Sequence, residues 1–440
     1  MVMTGAMTAL TKAATGARTA WSGGILATCL LAATAPGALR AQDFTFGGSL
    51  DATLRYYPED GLLRGQGDAG FQTIISGELD TRTRFESGTL VFEVSGLYNT
   101  DTGEGYADIP RGYYQYFGDG WDLLVGSNIE YWGVSEGNRV VDTVNQRYTI
   151  DQTVDYISLG QPMVNFNLSL GLNSTLSVFG LVYFRDRDLN TAETRFRSPI
   201  LVSNNDAVYE EGGGRNFDFA ARFRSSFDAL WGGMDLALSY FDGTDRAPST
   251  LPSICVVPTG VFDRSSCTTD LIDNLPDLHA LPYYAKLRRW GLETVWSRGS
   301  LQLTFEGAIS NAIDETYYSY VAGAQYSFGG IGPTGDTLTV VGEYLYDNRS
   351  RIQPLTIYDD DVFLGFAYTG NDVQGTAVRG GMYYDVNSDA QIYTASYSRR
   401  IGDAVRVEVA AFGVNSADTR DPLAFAQNDS FVQLSLEYFF

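Results

Sequence analysis

Charged side chains at every second position are the residues of this sequence whose spacing could support chemistry. Near position 80 they are Glu78, Asp80, Arg82, Arg84 and Glu86. The residues between them are small, apolar or neutral. Successive side chains of a β-strand point to opposite faces, so these five charges share one face. Such a face can orient a polar solute in water, or its charges can pair with one another and stiffen a wall.

The same alternation recurs in three later segments. Their charged faces carry Asp218, Arg222, Arg224, Glu306, Arg406 and Glu408. The opposite faces are apolar, with Phe223, Leu303 and Val407 as examples. A charged face does not tolerate lipid, because an Arg at the bilayer midplane costs roughly 2–4 kcal/mol. The pattern therefore predicts strands with one face in lipid and the other lining a water-filled lumen.

Catalytic chemistry has little support in this sequence. His279 is the single histidine and lies in a long loop. Nucleophilic catalysis requires a base beside the nucleophile, whereas a lone loop histidine is usually just solvated. No glycine-rich phosphate loop stands between a strand and a helix. We therefore predict no enzymatic activity and no cofactor.

Metal binding is also not predicted. Residues 186–190 begin like a calcium loop, but Thr191 replaces the required glycine and Arg197 replaces the bidentate glutamate. Residues 359–361 are three successive aspartates that could attract calcium, although a solvated run of charge is the simpler interpretation.

The N-terminus has the features of a secretory signal peptide. Lys12 and Arg18 supply positive charge, and no acidic residue precedes Asp43. Residues 25–33 form an apolar run that is too short to span a bilayer. We predict that residues 1–41 are removed, which leaves one domain, residues 42–440. Export to an oxidising compartment favours a loop disulfide between Cys255 and Cys267 over two free thiols.

Segments of period two predict an all-β fold with about eighteen strands. They lie near 44–56, 71–86, 88–99, 111–118, 121–131, 155–171, 174–185, 216–227, 232–242, 286–297, 300–310, 316–328, 336–347, 361–370, 374–385, 389–400, 403–414 and 430–440. Each is long enough to cross an outer membrane when tilted, which takes roughly 9–11 residues. Sixteen strands is the alternative, because short strands are easily split or merged.

The connections between these segments alternate in length along the first half of the chain. Residues 57–70, 100–110 and 132–153 form long connections, whereas 119–120 and 172–173 form short ones. Transmembrane barrels place short turns on the periplasmic side and long loops outside. Lipid cannot satisfy open strand edges, so the sheet must close, with the first strand paired to the last. We predict a closed antiparallel transmembrane β-barrel.

The connection 132–153 is more apolar than an exposed loop needs to be. It contains Val134, Val140, Val141 and Val144 between charged residues. In its alternation, loop rhythm and terminal phenylalanine, the chain resembles Gram-negative porins, whose third external loop commonly folds inward. The resemblance implies that 132–153 is a constriction loop. Its charged residues there would be Glu136, Arg139, Asp142 and Arg147. The alternative is that this loop lies over the rim and its charges are only solvated.

The last strand carries a second consequence of this resemblance. Val432, Leu434 and Leu436 share a face with Tyr438 and Phe440. In porin-like proteins such a C-terminal pattern is the signal bound by the barrel-assembly machinery, so the resemblance assigns that role to Tyr438 and Phe440. It also implies outer-membrane lipid as the surroundings and leaves a homotrimer open.

The net charge of −23 limits the partners of this chain. Nucleic acid is excluded, since a surface this acidic repels phosphates. The acidity serves solubility, or it favours cations in the loops and lumen. Together these features predict a porin-like channel in the outer membrane of a Gram-negative bacterium, passing small hydrophilic solutes by passive diffusion. The alternative is a non-conducting barrel with a surface-binding or structural role.

Overall fold

The computed structural model describes residues 43–152, 156–202, 206–212, 216–252 and 280–440. The predicted signal peptide, residues 1–41, lies outside these ranges. So do Cys255, Cys267 and His279, and the disulfide and the solvated histidine stay predictions.

Twenty-three strands occur in the described residues, and eighteen of them form one sheet. The first nine strands of this sheet are β1 Asp43–Tyr57, β2 Gly70–Phe85, β3 Gly88–Asn99, β4 Gly105–Phe117, β5 Trp121–Asn128, β8 Gln161–Ser169, β9 Ser174–Leu181, β11 Asp218–Ala229 and β12 Gly232–Thr244. The other nine are β15 Lys286–Arg298, β16 Leu301–Ala312, β17 Glu315–Ile331, β18 Asp336–Asp347, β19 Asp360–Thr369, β20 Ala377–Asp385, β21 Gln391–Ile401, β22 Val405–Asn415 and β23 Phe431–Phe439.

Short elements make up the remaining regular structure of the described ranges. They are β6 Arg147–Tyr148, β7 Ile157–Ser158, β10 Val208–Tyr209, β13 Ser249–Pro252, β14 Ala280–Tyr284 and a 3₁₀ helix, Pro422–Ala426. Strands β6 and β7 pair with each other, and β10, β14 and β13 form a small separate sheet. No helix in the described part of the chain has the length and apolar character to cross a membrane.

The eighteen-stranded sheet is closed and antiparallel. Each strand pairs with the next one along the ring, and β1 pairs with β23, with Ser49 opposite Phe439. Closure gives every wall strand two neighbours, so the backbone groups of the wall find partners without water. The predicted closed barrel and its eighteen strands are confirmed, and the sixteen-strand alternative is wrong.

The two faces of β1 show how the sequence builds this wall. Phe44, Phe46 and Leu50 point outward and are 58–62% exposed. Arg55 and Tyr57 have the opposite parity, point inward and are 7% and 0% exposed. A period of two therefore places apolar side chains on the outer surface and polar or packed ones inside.

The long connections are fewer than the sequence predicts. Strand β4 begins at Gly105, so only residues 100–104 separate it from β3, and the predicted long connection 100–110 is wrong. Residues 313 and 314 alone join β16 to β17. Ile313 and Asp314 both have positive φ, 50° and 57°, as a tight two-residue hairpin turn requires.

Three strands end earlier or begin later than predicted, because their apolar neighbours pack inside the barrel. Strand β5 ends at residue 128 rather than 131, β8 begins at 161 rather than 155, and β9 ends at 181 rather than 185. Phe184, which continues the outward apolar parity of β9 past its end, is 1% exposed, and so is Trp132, which directly follows the predicted end of β5. Alternation alone does not distinguish such side chains from the continuation of a strand.

Candidate functional site

The connection 129–160 between β5 and β8 is described for residues 129–152 and 156–160, and these pack against side chains that point into the barrel. Glu306 of β16 is 0% exposed and holds this loop by its backbone. Its carboxylate accepts hydrogen bonds from the N–H groups of Val134 at 2.8 Å and Val141 at 2.9 Å, and from the Ser135 hydroxyl at 3.0 Å. One buried carboxylate of a wall strand thus holds the loop at two places, residues 134–135 and residue 141.

Two further wall glutamates repeat this contact on neighbouring strands. Glu343 of β18 accepts hydrogen bonds from the N–H groups of Glu136 at 2.9 Å and Gly137 at 2.7 Å. Glu293 of β15 accepts one from the Gly133 N–H at 2.9 Å. Gly133 has φ +106°, and a Cβ there would lie 2.8 Å from the Glu306 carboxylate. Only glycine allows the loop to pass this close to the wall.

Other wall residues act as hydrogen-bond donors and bind carbonyl groups of the loop. Tyr383 of β20 donates to the Gly137 carbonyl at 2.9 Å, and Arg289 of β15 donates to the Val140 carbonyl at 3.3 Å. Val141 and Val144 are 1% and 0% exposed within the apolar cluster inside the barrel. The loop therefore occupies part of the interior and is not spread over the rim.

Two cavities border the loop. The larger has a volume of about 790 Å³ and is lined by loop residues together with side chains of β2, β3, β4 and β15. The smaller has a volume of about 490 Å³ and is lined by Val134 of the loop and by residues of β9, β11, β12 and β15. The smaller cavity reaches Leu172 and Asn173, which form the short turn after β8, so the two cavities lie toward opposite ends of the barrel.

The four charged residues predicted for the constriction line the larger cavity, and so does Glu78 of β2, which was predicted to line the pore. The four constriction residues are Glu136, Arg139, Asp142 and Arg147. Arg147 binds the Asp142 carboxylate at 3.1 Å and covers the Tyr156 ring, with its guanidinium carbon 3.7 Å from the ring centre. Glu136 and Arg139 are exposed to the cavity.

The residues predicted to line the pore lie in several different environments. Arg222 and Arg224 line the smaller cavity, and Arg222 also binds Glu293. Asp218 is 1% exposed and paired with Arg246 at 2.7 Å. Glu306 lies behind the loop, as described above.

The remaining predicted pore residues border neither cavity. Asp80, Arg82 and Arg84 have the inward parity of β2 at its short-turn end, and Glu86 lies in the turn that follows. Arg406 and Glu408 pair with each other at 3.3 Å on β22. Tyr438 and Phe440, the predicted assembly signal, are outward and about half exposed, with stacked rings 6.3 Å apart.

Three important residues of the site were not predicted from the sequence. Glu293 and Glu343, which anchor the loop, share the inward parity of β15 and β18, so their alternation with apolar neighbours was the available signal. Arg195 lies in a connection without periodicity and offered no such signal.

Arg195 is the centre of a buried cluster that joins four connections. It is 0% exposed and binds Asp429 at 3.0 Å and the carbonyl groups of Glu59 and Asp68 at 2.8 and 3.1 Å. Its backbone N–H donates to Asp151 at 2.9 Å. The loop that enters the barrel is thereby tied to three other connections at the long-loop end.

Asp151 makes this cluster sensitive to pH. Burial raises the pKa of its carboxyl group to about 6, although Arg55 and the Arg195 N–H act in the opposite direction. A carboxyl group whose pKa is raised on folding binds more protons in the folded than in the unfolded chain. The resulting stabilisation is complete below the unfolded pKa near 4 and is lost as the pH rises through 6.

We expect the thermal unfolding midpoint of the protein to rise when the pH is lowered from 7.5 to 5. Asp151→Asn should reduce this rise, because the Asp151 carboxyl group contributes about 3 kcal/mol to the free energy of unfolding over its full titration. Asp101→Asn, a change at an exposed carboxylate, serves as the control. An equal rise in wild type and Asp151→Asn would contradict the assignment.

Metal binding finds no preformed site. Within the described ranges, no three His, Cys, Asp or Glu side chains are arranged to hold a metal ion. The interpretation of 359–361 as a solvated run of charge is wrong for Asp361, which is 3% exposed at the start of β19, opposite Asp385 of β20.

Comparisons with known proteins give a likeness of fold alone. No family model matches the sequence, and no curated protein matches it. The chain is similar to a BenF-like porin from Pseudomonas fluorescens at 10% identity and a TM-score of 0.49, covering 91% of this chain and 98% of that one. It is also similar to mutants of the porin from Rhodopseudomonas blastica, one at 12% identity and a TM-score of 0.39, covering 90% and 100%. At similarities this low, the assignment of the fold rests on the strand pairings themselves.

Proposed function

We propose that this chain is a porin-like outer-membrane channel through which small hydrophilic solutes diffuse passively. The observation that carries the proposal is the pair of cavities with charged side chains in their linings, about 790 and 490 Å³, on the two sides of a loop held inside a closed barrel. Water-filled passages of this kind let solutes cross while the wall excludes lipid. The loop 129–160 would form the constriction, and its Arg139 and Asp142 would contact the solute.

The outer face supports a location in a membrane. Aromatic and aliphatic side chains such as Phe71, Leu238 and Trp290 are 49–64% exposed there. A water-soluble protein rarely leaves so much apolar surface bare, whereas a bilayer requires it. The signal peptide 1–41, the assembly signal at Tyr438 and Phe440, and a homotrimer remain proposals that fit this location.

The tightness of the interior favours a second function, a non-conducting barrel with a structural or surface-binding role. Trp132, Val141 and Val144 are at most 1% exposed, so the loop is packed as densely as a protein core where it meets β9, β15 and β16. In this alternative the long connections would carry the activity, and the two cavities would not communicate.

Planar-bilayer recording distinguishes the two functions. The purified protein is expected to give discrete conductance steps in potassium chloride, and proteoliposomes containing it are expected to swell in small sugars. Arg82→Ala combined with Arg84→Ala is expected to reduce the permeability of chloride relative to potassium, because both guanidinium groups face the lumen near one mouth. Absence of conductance and swelling from correctly folded protein would reject the channel in favour of the structural barrel.

A further inference from the structure

The larger cavity contains more positive charge than the composition of the chain suggests. Seven arginines line it, in a protein whose net charge is −23. Four of these arginines form ion pairs with carboxylates at 2.5 to 3.1 Å. Each of those pairs is close to neutral, so the charge of the cavity depends on the remaining three arginines and on the lining carboxylates that pair with no arginine.

Arg139, Arg187 and Arg289 are held only by neutral acceptors. Arg139 donates to the Ser135 carbonyl at 3.3 Å, and Arg187 donates to the Gln146 side chain at 3.2 Å. Arg289 donates to the Ser310 hydroxyl at 2.8 Å and to the carbonyl of Val140. Among the described residues, no carboxylate lies within 4.0 Å of any of the three guanidinium groups. Neutral acceptors position a guanidinium group without cancelling its charge.

The surroundings of Arg187 support a positive potential in this part of the cavity. Burial, and to a smaller extent the nearby Arg147, lower the pKa of its guanidinium group to about 10. The opposing influence of Asp245 is weaker. A buried cation with a cationic neighbour is stabilised by any anion that binds between them.

Three carboxylates that line the same cavity have no arginine within 4.0 Å. They offset the positive charge of the arginines to different extents, because water screens them to different extents. Glu78 and Glu136 are exposed, so water screens their charge. Asp245 is 6% exposed and accepts a hydrogen bond from the Ala247 N–H at 3.0 Å. Arg187 and Arg289 are only partly exposed, so water screens their charges less as well. The weakly screened unpaired groups of the cavity are therefore two arginines and one aspartate, which leaves an excess of positive charge.

We propose that this cavity binds the oxyanion group of small organic acids, so that the channel prefers carboxylates over cations of the same size. The inference rests on the proposed channel function and specifies its class of solute. Arg139, Arg187 and Arg289 would each offer a contact for a carboxylate along the cavity, because a planar guanidinium group donates two hydrogen bonds to it at once. Net charge alone predicts the reverse preference.

Three solutes of matched size and different charge test this inference: propionate, propionamide and propylammonium. In proteoliposome uptake, we expect propionate to enter roughly tenfold faster than propylammonium, with propionamide between them. Arg187→Gln should lower this ratio, and Arg139→Gln, Arg187→Gln and Arg289→Gln together should bring it close to one. Arg298→Gln is the matched control, since Arg298 lies on the same strand as Arg289, is exposed and borders neither cavity.

The outcomes separate the inference from the function on which it rests. Uptake of all three solutes at equal rates, or faster uptake of propylammonium, would overturn the preference for carboxylates and leave the channel intact. If no solute enters, the proposed channel function is rejected, and a measurement of propionate binding then tests the anion site. In that case, propionate but not propylammonium should raise the thermal unfolding midpoint of the wild type and leave that of Arg187→Gln unchanged. The absence of such a shift would reject the anion site.

Discussion

Replacing Glu306 with alanine is expected to raise the single-channel conductance several-fold and to make the open level noisy. The carboxylate of Glu306 accepts four hydrogen bonds from the loop, two from Ser135 and one each from the N–H groups of Val134 and Val141. Each hydrogen bond to a charged group contributes about 1.5–3 kcal/mol. Their loss leaves buried N–H groups without acceptors, so the loop should leave its position against β16.

Wall carboxylates without loop contacts provide the control for this change. Glu408→Ala removes an inward carboxylate whose ion-pair partner within the described ranges is Arg406, so the conductance of this variant should stay close to that of the wild type. Glu306→Gln keeps the shape of the side chain and one acceptor oxygen, and it should give an intermediate conductance. A Glu306→Ala channel with wild-type conductance and quiet open levels would show that the loop does not form the constriction.

Replacing Arg195 with methionine is expected to produce the largest loss of stability among single substitutions in the connections. The guanidinium group is 0% exposed, pairs with Asp429 and donates to three backbone carbonyl groups in two connections. Removing one partner of a buried ion pair costs about 3–5 kcal/mol, because the other charge remains buried and unpaired. Denaturant unfolding of the protein in detergent measures this loss, and proteolysis should begin in connections 58–69 and 416–430.

Arg420→Met on the same connection as Asp429 is the matched control for this substitution. Arg420 also pairs with an aspartate, Asp418 at 2.6 Å, but its side chain is 81% exposed. Exposed pairs contribute little to stability, so no measurable change is expected. If Arg195→Met and Arg420→Met unfold at the same denaturant concentration as wild type, the buried cluster does not stabilise the connections.

The wall of this protein could be predicted because its rule is local. Adjacent residues of a strand always point to opposite faces, so Glu78 and Leu79 differ in environment wherever the strand lies. Lipid on one side and water on the other turn that parity into a pattern of residue types, and the pattern persists over all eighteen strands. The pairing of β1 with β23 follows as well, because backbone groups in lipid need partners at both edges.

The ends of strands are less predictable for a reason that Trp132 and Phe184 illustrate. Phe184 continues the outward apolar parity of β9, and Trp132 directly follows the predicted end of β5, but both pack inside the barrel against residues distant in sequence, Tyr284 and Phe179 respectively. Alternation shows that one side of a segment is shielded from water. It does not show whether lipid or the interior of the barrel shields it.

By itself, the sequence determined the number of wall strands, the face on which each charged wall residue lies and the apolar character of the loop after β5. Only the tertiary structure decided which charges remain unpaired. Asp218, predicted to line the lumen, is neutralised by Arg246, whereas Arg187 and Arg289 meet only neutral acceptors. Pairing depends on distances of a few ångströms between residues up to 234 positions apart, as Arg195 with Asp429 shows, and no periodicity along the chain encodes them.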